Sequence, residues 1–132
     1  MKAGSCLCGK VRLSFDKFVR PFRSCHCTQC RKQTSTYLTA GHVLDEQLTV
    51  QGGDHLTWYR ASDFASRGFC CHCGSAMLWK RDDTDYTAVM AGCIDGDTYT
   101  AVVAHIFVGN KGDYYELDEE VPKYSGSAGP ST

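Results

Sequence analysis

The sequence predicts a mainly β domain of antiparallel strands joined by tight turns, with few and short helices. Three observations predict it. Apolar residues recur with the period of a strand rather than of a helix. Turn-forming residues interrupt these runs at short intervals. No stretch is long enough to supply the crossover helices that a parallel α/β sheet requires. At 132 residues and 14.6 kDa the chain is also long enough to bury a core without covalent staples.

In chain order, Val11, Leu13 and Phe15 alternate with Arg12 and Ser14, as on a half-buried strand. A helix of one or two turns is expected after Cys27, through TQCRKQT. Leu48 and Val50, then Leu56 and Trp58, flank Gly52-Gly53 in the pattern of a tight hairpin. A helical turn is placed near Ser62 to Ala65. Further strands are expected at 75–80, where Met77 and Trp79 alternate with Ala76 and Leu78, at 86–91 and at 101–108. Asp82-Asp83 and the stretch from Gly92 to Gly96 supply turns between them. One domain is expected over 1–124, and SGSAGPST, over 125–132, reads as a flexible C-terminal tail.

The formal net charge is −1, from 14 basic and 15 acidic residues, and neither sign forms a block. That balance lacks the basic footprint of a nucleic-acid binder. There are nine cysteines, an odd number, and the opening MKAGSCLCGK holds no apolar run that would serve as a signal peptide or membrane span. The expected setting is cytoplasmic, where clustered cysteines bind metal more often than they pair as disulfides.

Seven of the nine fall into three groups: Cys6 and Cys8 in GSCLCG, Cys25, Cys27 and Cys30 in CHCTQC, and Cys70 and Cys73 in FCCHCG. Cys-x-Cys on an extended backbone sends both sulfurs to one face, because side chains alternate with period two. Cys-x-x-Cys followed by glycine is a zinc-knuckle geometry, the glycine allowing a tight turn round the metal. Cys6, Cys8, Cys70 and Cys73 together make a closed tetrahedral set of the structural kind. Cys25, Cys27 and Cys30 remain, and three protein ligands with a fourth position free distinguish a catalytic zinc from a structural one.

Other readings of these sulfurs are weaker. The spacing does not match the common ferredoxin runs, and a thioredoxin-like pair at Cys27 and Cys30 lacks its βαβ context. A fourth ligand closing the second site would come from His26, Cys71, His72 or Cys93. His26 should point away from the face its neighbours share, and Cys71 and His72 should face outward from their knuckle. Cys93 stays open as a ligand, its alternative being a small buried hydrophobe.

The succession GSCLCG, CHCTQCRK, RGFCCHCGSAML, AGCIDGD and AHIFVGNKGDYY resembles the glutathione-dependent formaldehyde-activating family, which includes the centromere protein V group. The resemblance runs from about Gly4 to Lys123. It departs from the family where a proline usually precedes the HI segment, here TAVVAHIF, and where a tryptophan commonly follows, here Tyr114-Tyr115. It implies a tent-like arrangement of antiparallel sheets with a structural zinc on Cys6, Cys8, Cys70 and Cys73 and a catalytic zinc on Cys25, Cys27 and Cys30. It also implies an activity: joining glutathione to formaldehyde to give S-(hydroxymethyl)glutathione, a carbon–sulfur lyase run in reverse.

Zinc held by three thiolates carries a net charge of about −1, against +2 with three neutral histidines, and is the weaker Lewis acid. Its open position favours a soft ligand over water. The expected partners are therefore a small-molecule thiol, such as glutathione, and a small aldehyde, with no nucleic acid and no membrane. Arg31, Lys32 and Arg67 are candidates for the thiol's carboxylates. His105, at the family's HI position, is a second-rank site residue, and Tyr37, Phe69, Trp79 and Phe107 are candidate pocket walls. The competing expectation is a zinc-stabilised module that binds a protein partner and does no chemistry.

Overall fold

The computed structural model describes residues 1–118 and 120–127, among which ten strands and one α-helix are formed. In chain order these are β1 (Lys2–Ser5), β2 (Arg12–Phe15), β3 (Arg20–Cys25), α1 (Thr28–Thr34), β4 (Leu38–Leu44), β5 (Thr49–Gln51), β6 (Leu56–Arg60), β7 (Ala65–Cys70), β8 (Ala76–Arg81), β9 (Tyr86–Met90) and β10 (Val102–Ile106). The mainly β expectation holds, and TQCRKQT is the helix. The residues group into two compact units, each assembled from separate stretches of chain: Met1–Arg20 with Gly41–Tyr99, and Pro21–Ala40 with the chain from Thr100 onward.

The first unit contains an antiparallel sheet of order β1-β2-β5 and an antiparallel run β9-β8-β7-β6, with β4 beside β9. On β2 the period of two is realised: Leu13 and Phe15 are buried while Arg12 is exposed. On β8 the alternation expected of Met77 and Trp79 against Ala76 and Leu78 is not realised: burial is continuous at Met77–Leu78, and on β9 at Thr87–Met90, because strands covered on both faces bury successive side chains. Lys80 binds the turn between them, its ammonium donating to Asp45 Oδ2 and to the carbonyls of Thr84 and Tyr86 at 2.5, 2.6 and 2.9 Å.

Two local expectations are corrected here. Gly52-Gly53 does not close a hairpin: β5 pairs with β2 and β6 pairs with β7. An alternating pattern on either side of two glycines is the same whether the strands meet each other or leave for different sheets. Gly52 is left-handed (φ +74°), and a Cβ there would stand 2.0 Å from the Lys10 carbonyl oxygen. Gly52→Ala is therefore expected to cost roughly 1–3 kcal/mol, whereas Gly53→Ala, facing only Val50 at 3.7 Å, should cost less. Equal urea midpoints for the two variants would contradict this. The second correction is at Ser62 to Ala65, where the chain bends without a helical turn and β7 begins at Ala65.

The second unit holds α1 and the pair β3 and β10, which is parallel rather than antiparallel, with His105 beside Ser24 and Ile106 beside Cys25. The strand expected to reach residue 108 stops at Ile106, because Phe107 turns left-handed (φ +54°) into a 3-10 turn over Val108–Asn110. Phe107, Val108 and Gly109 donate backbone bonds to the carbonyls of Gly126, Tyr124 and Ser125. The tail expected over 125–132 thus begins with hydrogen-bonded residues, and its positions 128–132 lie outside the described residues.

Candidate metal centre

In the first unit two tight turns converge four sulfurs. After β1, the Gly9 amide donates to the Cys6 carbonyl at 3.1 Å and the Cys6 amide to the Val11 carbonyl at 3.0 Å, with Gly9 left-handed. After β7, the Gly74 amide donates to the Cys70 carbonyl at 2.9 Å and the Cys70 amide to the Ser75 carbonyl at 3.1 Å, with Gly74 left-handed. The sulfurs of Cys6, Cys8, Cys70 and Cys73 all lie within 4.8 Å of one another. Cys6 and Cys8 are 3.5 Å apart, and Cys8 and Cys70 3.8 Å.

Hydrogen-bond donors reach three of these sulfurs. The Val11 and His72 amides donate to Cys6 Sγ and Cys70 Sγ, each at 3.4 Å. The Ser75 hydroxyl, with help from its amide, holds the Cys73 thiol down at about 5. The Lys10 amide pulls Cys8 down as well, but desolvation and the other three sulfurs push it up to about 11. Four sulfurs at this spacing cannot all ionise unaided, and a dication removes that conflict. The donor set suits a tetrahedral, thiophilic ion.

The second unit converges three. Cys25 ends β3, Cys27 is the N-cap of α1 with extended backbone (φ −64°, ψ 163°), and Cys30 lies in the first turn. The Cys30 amide donates to Cys27 Sγ at 3.4 Å, and the Arg31 amide to the Cys27 carbonyl at 2.9 Å, so the sulfur stands where a capping oxygen normally would. All three sulfurs lie within 4.8 Å of one another, and no other His, Cys, Asp or Glu among the described residues joins them. Cys27 and Cys30 drive the Cys25 thiol far above its ordinary value, the mark of sulfurs sharing too little positive charge. This set too has the chemistry to hold a metal ion.

The fourth-ligand candidates sort accordingly. Cys93 is buried, donates to the Ala76 carbonyl at 3.5 Å, and is kept neutral by burial first and then by the charges of Cys6, Cys73 and Asp95, its thiol raised to about 11. It behaves as a small hydrophobe. Cys71 and His72 are exposed, as their place inside the knuckle predicted, and gather with His55 in a separate cluster.

His26 faces away from the sulfurs, fully buried, with both ring nitrogens engaged. Nδ1 lies 2.6 Å from Tyr115 Oη and Nε2 lies 2.9 Å from His105 Nδ1. Tyr37 packs against the His26 ring at 4.7 Å between centroids, and Lys111 sits 4.4 Å over the Tyr115 ring. Burial, then the charges of His105 and Lys111, lowers His26 to about 4, so its imidazole is neutral near pH 7. His105, offered as a second-rank residue, is the end of this chain of rings, and Tyr115, marked in the sequence only as a departure from the family's tryptophan, is its other end.

Of the proposed carboxylate partners, Arg31 lies in α1 directly after Cys30, with its Nε buried and lacking a partner among the described residues. Lys32 is exposed on the same helix, whereas Arg67 is buried on β7 in the first unit. Tyr37 and Phe107 belong to the second unit and Phe69 and Trp79 to the first.

The chain is similar to known proteins. An uncharacterized lyase of Schizosaccharomyces pombe is 29% identical over 76 residues, which are 58% of this chain and 55% of that protein. The match thus spans about half the length of that relative. A crystallographically solved Rhodobacter sphaeroides protein shares the fold, with a TM-score of 0.63 at 24% identity over 74% of this chain and 91% of that one. The model of the glutathione-dependent formaldehyde-activating enzyme family matches residues 1–110, a span that takes in both sulfur sets and the His26–His105 pair, and the chain belongs to that family.

Proposed function

We propose that this protein is a zinc-dependent carbon–sulfur lyase-type enzyme that joins a thiol such as glutathione to a small aldehyde, in the manner of an S-(hydroxymethyl)glutathione synthase. The observation that carries the reading is the contrast between the two sulfur sets: four in one unit, and three in the other that no fourth His, Cys, Asp or Glu joins among the described residues. Cys6, Cys8, Cys70 and Cys73 would hold a structural zinc, and Cys25, Cys27 and Cys30 a catalytic one. When bound by three thiolates, that ion offers a position that prefers a soft sulfur ligand to water.

The reaction itself is a balanced addition. The thiol loses its proton, a carbon–sulfur bond forms as the carbonyl π bond breaks, and the former carbonyl oxygen gains a proton. Residues beside the three sulfurs are suited to managing that proton. In one direction Tyr115 Oη donates to His26 Nδ1 while His26 Nε2–H donates to His105 Nδ1. In the other, His105 Nδ1–H donates to His26 Nε2, His26 Nδ1–H to Tyr115 Oη, and Tyr115 Oη–H to the Thr36 carbonyl at 3.3 Å. Switching between the two takes up one proton at Tyr115 Oη and releases one from His105 Nε2, so a proton crosses the chain without placing a charge on buried His26. Arg31, whose buried Nε has no partner among the described residues, supports a carboxylate-bearing thiol.

The test is exchange between glutathione and formaldehyde followed by NMR on the metal-loaded protein. Wild type should accelerate exchange, and Cys27→Ser should reduce that acceleration by about 100-fold or more while the four-sulfur site keeps its metal. Unchanged exchange in a folded Cys27→Ser protein would overturn the reading.

A further inference from the structure

A third group of metal-ligating atoms lies in the first unit, apart from both sulfur sets. His55, Cys71 and His72 bring one ligand atom each within 4.8 Å of the others. His72 Nε2 is 2.9 Å from His55 Nδ1, with the ring centroids 4.8 Å apart at 61°. The placement is fixed by backbone. The Cys71 amide donates to the His55 carbonyl at 2.8 Å, Leu56 is registered with Cys70, and the His55 amide closes a 3-10 turn onto the Gly52 carbonyl at 2.9 Å.

The Cys70–Cys73 knuckle therefore has two chemical faces. Cys70 and Cys73 turn to the four-sulfur set, while Cys71 and His72 project outward to meet His55. On the outer side Asp54 places a carboxylate oxygen 3.9 Å from His55 Nε2.

We propose that His55, Cys71 and His72 form a third, surface metal site for a zinc-class transition ion. Two imidazoles and one thiolate suit Zn²⁺ and its Co²⁺ substitute, and are poor ligands for Ca²⁺ or Mg²⁺. With one anionic sulfur instead of three or four, and with Cys71 and His72 exposed, the site holds its ion more weakly and exchanges it with solution. It is also linked to the four-sulfur set, because the His72 amide donates to Cys70 Sγ at 3.4 Å. An ion that pins the His72 ring steadies that amide, so occupancy of the outer site slows metal loss from the inner one.

The experiment takes the full-length protein with its tightly bound metal and titrates it with Co²⁺, and separately with Zn²⁺ against a chromophoric chelator. Wild type should take up one equivalent per chain more than a Cys71→Ala/His72→Ala variant. Its thiolate-to-cobalt charge-transfer band should disappear in Cys71→Ala. His55→Ala, which leaves the knuckle untouched, should weaken the same equivalent by about tenfold or more. Equal affinity for that equivalent in wild type and His55→Ala, or a charge-transfer band that persists in Cys71→Ala, would overturn the proposal. The readout is metal stoichiometry, so it stands or falls independently of the aldehyde chemistry.

Discussion

Cys70→Ala should leave the first unit without a cooperative folded state, while Cys71→Ala, one residue along, should fold. Cys70 is fully buried and Cys71 is exposed. Cys70 Sγ lies 3.8 Å from Cys8 Sγ and accepts from the His72 amide, so its loss removes one of the four sulfurs of the proposed zinc site and strands that donor. Structural zinc contributes about 10–16 kcal/mol to folding in small zinc-finger peptides at neutral pH. A domain of this kind has a total stability of only about 5–15 kcal/mol. Loss of even half the metal's contribution is therefore comparable to the whole. The four-sulfur set ties a turn after β1 to a turn after β7, contacts 62 residues apart in sequence, so nothing local replaces it. Far-UV circular dichroism and thermal melting with metal content decide the matter. A Cys70→Ala protein that melts cooperatively at the wild-type temperature would show that the sulfurs do not carry the fold.

What the sequence made legible was local. Ligand spacing is set over two to five residues, so the cysteine groups were readable from Cys-x-Cys and Cys-x-x-Cys-Gly alone. β2 was readable from its side-chain period, and β8, β9, β10 and α1 as short runs bounded by turn residues. β7 was hidden because it buries Ala65, Arg67, Gly68 and Cys70, a pattern with almost no apolar signature. Gly68 lies under the Trp58 ring, where a Cβ would come within 3.1 Å, so the exposed tryptophan of β6 covers a position with no side chain. β3 was hidden for a related reason, with Ser24 buried between Arg23 and Cys25. Partner choice was not legible at all: β5 with β2, and β3 parallel to β10, are long-range pairings that alternation cannot distinguish from hairpins. The same holds at the site. CHCTQC showed that His26 should turn from the sulfurs, but its partner Tyr115 is 89 residues away.

That distant partner makes His26→Phe the second large effect. Phenylalanine keeps the packing against Tyr37 and the stacking on Tyr115, at 4.7 and 5.7 Å between centroids, and matches the ring's shape closely enough to leave little cavity. What it removes is polar. His105 Nδ1 loses its partner at 2.9 Å, and Tyr115 Oη, formerly 2.6 Å from His26, retains only the Thr36 carbonyl at 3.3 Å. An unsatisfied buried polar group costs about 1–3 kcal/mol, and His105 is itself buried. With one group orphaned and a second weakened, a loss of about 2–4 kcal/mol is expected, read as a lowered urea midpoint at constant metal content. His26→Gln, whose amide nitrogen reaches where Nε2 stood, should recover part of the stability. It should not recover the exchange activity, because an amide cannot trade one tautomer for the other. If His26→Gln restored both, the two histidines and the tyrosine would be a packing device and the proton would have to travel by another route. If it restored neither, the aromatic ring would be needed together with the hydrogen bonds to fix Cys25 and Cys27 on either side of His26.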